Sequence, residues 1–346
     1  MKKIAILFCI GSFAIANAIV NPVPLIILPN HAPEYSLINS VDFHPQENLF
    51  CVVYTHNNKI VLYRIGSNGT LNAIQTLGNP TARLNLPQHA AFSPDGQQIV
   101  VANWWNQTLN VYRRQHNGLY SKRPITITFP PETLQYCKPH GVSFSPCGKY
   151  LAIGYGAASY QDRAVALFRQ EDNCFICISL LKNEELPGIP KGIAFTPNGT
   201  HLIVTFAEPS CLAIFSIEGH IISPIPHQII EGCETKISRP EDVKFSIDKT
   251  YCAVSNSDQD TVTFYLFDQK TNSISQTTPF SILKNPEAKL HTPHGMAFSS
   301  DGRYIAITQF GSIEFTRDGN VIWEKKMRAE EAALNLYEIS SPQPSS

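Results

Sequence analysis

The feature that most constrains the fold is a phrase that occurs six times along the chain. The six copies read SLINSVDFHPQEN, NLPQHAAFSPDG, CKPHGVSFSPCG, GIPKGIAFTPNG, SRPEDVKFSIDK and HTPHGMAFSSDG. Each copy contains one anchor phenylalanine, and the anchors are Phe43, Phe92, Phe144, Phe195, Phe245 and Phe298. Successive anchors are 49, 52, 51, 50 and 53 residues apart. This regular spacing indicates a repeat fold in which each copy builds one structural unit.

Each copy predicts a unit made of β-strands. A turn follows the anchor, and an apolar run comes next, reading LFCVVY, QIVVAN, YLAIGY, HLIVTF, YCAVSN and YIAITQ in the six copies. A further strand follows each run, and a less regular fourth strand follows that one. Continuous apolar runs predict strands that are buried on both faces, as in sheets that stack on each other. Four strands in roughly 50 residues, without an amphipathic helix between them, are typical of a propeller blade.

We therefore predict an all-β fold, a β-propeller of four-stranded antiparallel blades with six visible repeats; a degenerate seventh is left open. The last copy ends at its third strand, LNLYEI, so the outer strand of that blade must come from elsewhere. The N-terminal segment 24–29, PLIILP, can supply this strand, and such closure removes exposed sheet edges. The only segment that suggests a helix is 324–333.

The register of the repeats predicts a site on the propeller axis. The residue four positions before each anchor is polar, and the six residues are Asn39, Gln88, His140, Lys191, Glu241 and His294. This position opens the innermost strand, so the six side chains are expected to converge at the mouth of the central channel. Polar groups there must face water or each other, because burial without partners is costly. Two imidazoles, an amine and a carboxylate in one place favour binding or catalysis.

The same face of the ring should carry residues that bind a substrate. The predicted substrate-binding residues are Asn39, Gln88, His89, Trp104, Trp105, Tyr155 and Arg163. The two tryptophans could form an apolar or sugar-stacking wall, or could pack between blades. The longest loop on this face, 310–333, is expected to be a lid, a partner-binding element or a mobile segment.

The N-terminus predicts export. Lys2 and Lys3, the apolar run 4–15 and the tripeptide Ala-Asn-Ala at 16–18 form the three parts of a secretory signal peptide. We expect cleavage before Ile19, a single propeller domain over 19–346, and a periplasmic or secreted mature protein. No later segment is long and apolar enough to span a bilayer.

Charge and cysteine content exclude several classes of function. Without the two signal lysines the chain has 25 Lys and Arg against 28 Asp and Glu, a formal charge of −3, and it lacks a dense basic run. Nucleic acid is therefore not an expected partner. Eight cysteines remain after cleavage, and their pairing cannot be deduced from sequence. The sequence also lacks the G-x-S-x-G, P-loop and dinucleotide motifs, so we expect no cofactor.

The repeat phrases PHGVSFSPCG and PHGMAFSSDG, together with IVVANW, resemble the lactonase-type seven-bladed propellers. That family includes 6-phosphogluconolactonase, the carboxymuconate lactonising enzymes and the surface YVTN-repeat proteins. The resemblance covers about residues 37–339 and implies a funnel in which His, Arg and Glu side chains process a lactone with an acidic group. Matching the register gives the His role to His140 or His294, the acid role to Glu241 and the Arg role to Arg239. The sequence departs from the family pattern at Cys147, where Asp is usual.

Three hypotheses of function follow. The first is hydrolysis of a lactone or ester, with His140 or His294 as the base and Glu241 orienting the imidazole or protonating the leaving oxygen. Lys191 and Arg239 would stabilise the oxyanion or hold a substrate carboxylate. The second is a non-catalytic propeller that binds an envelope or secreted partner. The third places a divalent metal on the axis, since His140, His294 and Glu241 are competent ligands. We favour the first, with a small acidic or sugar-derived lactone as substrate and no metal.

Overall fold

Six antiparallel sheets arranged in a ring form the protein, and each sheet contains one copy of the repeat. The computed structural model describes residues 19–29, 37–66, 70–128, 138–156, 163–172, 174–310, 313–318, 321–327 and 333–340. The predicted signal peptide, 1–18, lies outside these residues.

The strands are numbered in chain order. Two short strands come first, β1 (Ile19–Val20) and β2 (Ile26–Pro29). Blade 1 contains β3 (Ile38–Phe43), β4 (Leu49–Tyr54), β5 (Lys59–Ile65) and β6 (Leu71–Gly78). Blade 2 contains β7 (Pro87–Phe92), β8 (Gln98–Asn103), β9 (Thr108–Arg113) and β10 (Ile125–Thr128). Blade 3 contains β11 (Lys138–Phe144), β12 (Tyr150–Gly156), β13 (Ala164–Glu171) and β14 (Cys174–Lys182).

The outermost strand is split in the next two blades. Blade 4 contains β15 (Pro190–Phe195), β16 (His201–Phe206), β17 (Cys211–Glu218), β18 (Ile221–Ile222) and β19 (Gln228–Ile230). Blade 5 contains β20 (Pro240–Phe245), β21 (Tyr251–Asn256), β22 (Thr261–Asp268), β23 (Ser273–Ile274) and β24 (Ser281–Lys284). Two short 3-10 helices, Asn183–Glu185 and Cys233–Thr235, lie in connections.

Blade 6 closes the ring as the sequence predicted. It contains β25 (Pro293–Phe298), β26 (Tyr304–Gln309) and β29 (Ala333–Ser340), and a hairpin of β27 (Ile313–Asp318) and β28 (Val321–Met327) separates the last two. Strands β2 and β1 pair with β29, with Ile26 opposite Leu336 and Ile19 opposite Ser340. The predicted role of the N-terminal segment in closure is thereby confirmed, because it covers the edge that the last repeat leaves open.

One local expectation is wrong. The segment 324–333 suggested a helix, yet residues 324–327 belong to β28 and pair with β27. Its Glu, Lys and Ala residues favour a helix, but pairing with the neighbouring strand overrides that propensity. Within the part of the chain described here, no helix has the length and apolar character needed to cross a membrane.

Six hydrophobic clusters hold the ring together, one between each pair of neighbouring blades. The second strand of blade 1, β4, is buried along its whole length, as a strand packed between two other sheets must be. The first strands of the blades, β3, β7, β11, β15, β20 and β25, contact each other in a closed cycle and surround the axis. The fold is therefore a six-bladed propeller, and its innermost strands carry the polar repeat position.

Candidate functional site

A β-bulge occurs at the polar repeat position of every innermost strand. In each blade, the pairing between the first and second strands shifts by one residue at or beside this position. A bulge adds an unpaired residue and re-aims its side chain, and bulges are common beside active sites. The sequence held a signal for it, since five of the six positions follow a proline and proline is confined to strand starts, edges and bulges.

Four of these polar residues meet at the axis around one carboxylate. Oε2 of Glu241 lies 3.3 Å from Nε2 of His294, 3.4 Å from Nζ of Lys191 and 4.0 Å from Nε2 of His140. The two imidazole rings have centroids 5.4 Å apart, although they come from blades on opposite sides of the ring. Both histidines and Glu241 are buried, and Lys191 is 20% exposed. The predicted convergence is confirmed, and we call these four residues the axial cluster.

Asn39 and Gln88, the other two members of the predicted set of six, border this cluster, and so does Arg239. Asn39 Nδ2 donates a hydrogen bond to Oε1 of Gln88 at 2.5 Å. The backbone carbonyl of Asn39 is 2.9 Å from Nδ1 of His294. Arg239 Nε lies 3.8 Å from Oε1 of Glu241, and the arginine side chain is 44% exposed. Arg239 therefore joins the solvent-facing side of the cluster.

The charges of the axial cluster follow from burial and proximity. Burial alone would raise the pKa of Glu241, but the positive charge of Lys191 and the contact with His294 hold that pKa well below its ordinary value. Burial and, next, the charge of Lys191 hold the pKa of His140 well below its ordinary value. At neutral pH the cluster therefore combines an ionised carboxylate and a neutral His140 imidazole. Both groups carry lone pairs that can accept hydrogen bonds from a water molecule.

Phe310 also belongs to the site, although the repeat register gave no indication of it. Its ring stacks on that of His294 with centroids 4.3 Å apart and an interplanar angle of 24°. Stacking on one face, together with the hydrogen bond at Nδ1, fixes the orientation of the imidazole. A signal existed in the sequence, because Phe310 directly follows the last residue of β26 and so lies at the same end of the blade.

A second polar cluster lies further along the innermost strands. Nε2 of His89 is 3.3 Å from Nζ of Lys244 and 3.9 Å from Oδ2 of Asp242, which in turn accepts a hydrogen bond from the amide of Met296. Blades 2 and 5 are opposite each other, so these contacts cross the axis. His89, predicted to bind substrate, therefore lies in this second cluster. Burial raises the pKa of the nearby Asp42 to about 6. The two-residue alternation of a strand could have indicated these positions.

Glycines allow the innermost strands to approach each other closely. A glycine follows the polar repeat residue in three blades, at Gly141, Gly192 and Gly295. A Cβ added to Gly141 would lie 2.3 Å from the carbonyl oxygen of Lys191, and one added to Gly192 would lie 2.5 Å from Cα of Asp242. No real Cβ contact is that short. The absence of a side chain at these positions therefore brings the axial cluster together.

The two predicted tryptophans lie beside the start of blade 3. Their rings are 6.2 Å apart, and Trp105 is 60% exposed. Nζ of Lys138, at the start of β11, lies 5.4 Å from the ring centroid of Trp104 and donates a hydrogen bond to the carbonyl of Trp105 at 3.1 Å. Lys138 precedes His140 by two residues. The two tryptophans therefore form an exposed aromatic surface at the rim of the channel, with the ammonium of Lys138 beside it.

The side chains of the last two predicted residues make contacts outside the axial cluster. Tyr155 is fully buried in the hydrophobic cluster between blades 2 and 3. Arg163 donates hydrogen bonds to the carbonyls of Asn183, the first residue of a 3-10 helix, and Leu186, the residue that follows that helix. These contacts serve the packing and the connections of blade 3.

Comparison with known proteins shows the family to which the chain is similar. The family model described as "Lactonase, 7-bladed beta-propeller" matches residues 34–221, which span blades 1 to 3 and most of blade 4. A 6-phosphogluconolactonase of Yersinia enterocolitica is 23% identical over 182 residues, which are 52% of this chain and 53% of that relative. The match thus spans about half the length of the curated relative.

Two solved structures of similar fold share little sequence with this chain. A putative 6-phosphogluconolactonase from Bacteroides uniformis aligns with a TM-score of 0.59 and 15% identity, over 84% of each chain. A second, from Bacteroides fragilis, aligns with a TM-score of 0.57 and 16% identity, over 84% of this chain and 83% of that one. At such identities the likeness establishes the fold.

Proposed function

Because this chain belongs to the lactonase family of β-propellers, we propose that it is a hydrolase that opens a lactone ring in the axial cluster. The observation that carries the proposal is the convergence of two imidazoles, an ammonium and a carboxylate from four different blades. Each of these side chains sits on a bulge that directs it to the axis. An interior built only for packing would instead place apolar side chains there, since buried polar groups are costly.

Hydrolysis adds one water molecule across the ester bond. The water oxygen bonds to the lactone carbonyl carbon, the ring C–O bond breaks, and the released alkoxide takes up the proton that the water loses. The imidazole of His140 or His294 accepts this proton, and the ionised carboxylate of Glu241 accepts a hydrogen bond from the water and helps to hold it. The ammonium of Lys191 supplies positive charge for the oxyanion that forms on the carbonyl oxygen.

The charges around the pocket favour a small acidic or sugar-derived lactone. Lys191 and Arg239 lie on the solvent-facing side of Glu241, and Lys138 adds a third positive charge at the rim. The exposed ring of Trp105 offers a face on which a sugar ring can stack. An acidic group on the substrate would meet Lys191 or Arg239, and its ring would meet the tryptophans.

The test is a panel of lactones with wild-type protein and matched variants. The double variant His140→Ala, His294→Ala should lose about 10²–10⁴-fold in kcat/KM, which is the usual contribution of acid–base groups. Lys191→Met should lower kcat more than it raises KM, because its charge acts on the transition state. His227→Ala, which changes an imidazole in the outer part of blade 4, serves as the control and should keep full activity. A wild-type protein that opens no lactone faster than the double variant would end the proposal.

Capture of a partner protein, together with the lactone panel, distinguishes hydrolysis from a binding role. The hairpin of β27 and β28 lies in the connection between the second and third strands of blade 6, at the end of the ring where the axial cluster opens. A partner protein bound there would be lost on deletion of 313–327 and retained in the double histidine variant. If a partner is captured in this pattern and no lactone is opened, the propeller is a recognition module.

Export of the protein to the periplasm or the medium is part of the proposal. It rests on the basic start, apolar run and Ala-Asn-Ala of residues 1–18. N-terminal sequencing of the protein from its native cell should begin at Ile19. A protein that retains Met1 and stays in the cytoplasm would refute export without affecting the proposed chemistry.

A further inference from the structure

In the neutral form of His294, its contacts set two electron-pair acceptors against each other. Nδ1 of His294 is 2.9 Å from the carbonyl oxygen of Asn39, which can only accept, so Nδ1 carries the hydrogen. In a neutral imidazole Nε2 then presents a lone pair. That nitrogen lies 3.3 Å from Oε2 of Glu241, which also only accepts. Such a pair is stable when a cation, either a proton on Nε2 or a metal ion, lies between the two atoms.

The carboxylate oxygen at this point lacks a donor. Oε2 of Glu241 is buried and makes no hydrogen bond to any residue that the structure describes. Nζ of Lys191 is 3.4 Å from this oxygen but outside hydrogen-bond geometry. A buried acceptor without a donor is costly, and a bound cation would remove that cost.

We propose that His140, His294 and Glu241 hold a divalent cation of the Zn²⁺ type. Their ligand atoms all lie within 4.8 Å of one another. In a tetrahedral zinc site with bonds near 2.0–2.1 Å, ligand atoms are about 3.3 Å apart. The pair formed by His294 and Glu241 already has this separation, and the 4.0 Å between His140 and Glu241 needs to shorten by about 0.7 Å.

The residues around the three ligands also suit an ion. A metal-binding histidine ordinarily donates its other ring N–H to a carbonyl or carboxylate, and His294 does so to Asn39. Phe310 stacks on the same ring and holds its plane. Two histidines and one carboxylate leave a fourth position open, which is the ligand set of catalytic zinc sites. The sequence predicts no metal here, because it contains no metal-binding motif; the three ligands are 53 to 154 residues apart in the chain.

Lys191 determines what accompanies the ion. A divalent cation, the Lys191 ammonium and the Glu241 carboxylate sum to a charge of +2, which a buried site does not hold unless an anion joins it. Lys191 should therefore weaken binding of the bare ion and favour binding together with hydroxide or a carboxylate. This role of the ion rests on the proposed function: the ion would polarise the lactone carbonyl or lower the pKa of a bound water, and the two imidazoles would then serve as its ligands and not as the base. Binding of the ion is a separate claim.

The experiment measures ion binding without any substrate. Full-length protein without a histidine tag is treated with chelator, dialysed and titrated with Zn²⁺ by calorimetry, and Co²⁺ absorption reports the coordination geometry. About one ion per chain should bind. His140→Ala and Glu241→Gln should each weaken binding at least about 100-fold, whereas Lys191→Met should tighten it by roughly 10-fold or more. His227→Ala is the matched control, because it disrupts another imidazole pair, His201 and His227, whose rings are 5.0 Å apart.

Two results would overturn the proposal. The first is a wild-type protein that binds no ion above the background of a metal-free buffer. The second is binding that His227→Ala removes or that His140→Ala and Glu241→Gln leave unchanged. Tighter binding in Lys191→Met is a gain that a misfolded variant cannot produce. The titration contains no lactone, so it tests ion binding independently of the proposed lactonase activity. Lactone hydrolysis by a protein that binds no ion would refute the ion proposal alone.

Discussion

The close approach of blades 4 and 5 at Gly192 leads to a quantitative prediction for Gly192→Ala. A Cβ at this position would lie 2.5 Å from Cα of Asp242, 2.9 Å from its Oδ1 and 2.9 Å from the carbonyl oxygen of Glu241. Carbon atoms in van der Waals contact are about 3.5–4.0 Å apart. The innermost strands of the two blades must therefore separate by about 1 Å. Two of the three atoms are backbone, so no flexible side chain can absorb the change.

The expected change in the free energy of unfolding is the balance of two effects. Overpacking a close-packed interior costs typically about 1–3 kcal/mol. Replacing glycine with alanine also restricts the unfolded chain, which stabilises the fold by about 0.4–1 kcal/mol. The steric effect is larger, so we expect the free energy of unfolding to fall by roughly 1–2 kcal/mol. At about 2–4 °C per kcal/mol, the melting temperature should fall by about 2–8 °C.

The same shift should impair the axial cluster, because the displaced carbonyl belongs to Glu241. A misplacement of about 1 Å at a reacting group can cost on the order of 10²-fold in rate. Differential scanning calorimetry measures the stability, and lactone hydrolysis measures the site. Gly78→Ala is the matched control: its nearest heavy atom would be Cβ of Lys59 at 4.0 Å, so it should be neutral or slightly stabilising. A Gly192→Ala protein that melts with the wild type and Gly78→Ala would refute the close-approach argument.

Three other perturbations test separate parts of the structure. Burial raises the pKa of Asp42 from 3.8 to about 6, so the stability that its bound proton contributes is present below pH 4 and is lost as the pH rises through 6. Between pH 4 and pH 7, the free energy of unfolding of Asp42→Asn should therefore rise by about 2–3 kcal/mol relative to that of the wild type. A difference between the two proteins that does not change with pH would contradict this. Burial opposes ionisation of the exposed Cys147, but hydrogen bonds from Ser145 and from the amide of Lys149 lower the pKa of its thiol. Iodoacetamide should therefore alkylate Cys147 faster in the wild type than in Ser145→Ala, as measured by mass spectrometry. Equal rates would refute the effect of Ser145. Deletion of 19–29 removes the strands that pair with β29. It should lower the melting temperature and promote aggregation, which light scattering measures. A deletion variant with the melting temperature and scattering of the wild type would show that these strands are dispensable.

The repeat phrase was sufficient to predict the blades and their strand order. Each copy carries its own turn and its own apolar run, so the information for one sheet is local in the sequence. The closing strand was also predictable, because LNLYEI lacked an outer partner and PLIILP was an unassigned apolar segment. The convergence of His140, Lys191, Glu241 and His294 followed as well, since equivalent positions in a ring meet at its axis. The helix expected at 324–333 failed because pairing within the hairpin of β27 and β28 outweighed local propensity.

The distances across the axis were decided only by the tertiary structure. Which polar residues touch depends on the radius of the ring, and that radius depends on the number of blades and on how closely their innermost strands pack. Contacts such as His140 with His294, or His89 with Lys244, join residues 154 and 155 positions apart, and no local pattern encodes them. Bulges turn the side chains inward, and Gly141 and Gly192 let the backbones meet. A sequence specifies each blade through nearby residues, whereas a site on the axis exists only after every blade has closed around it.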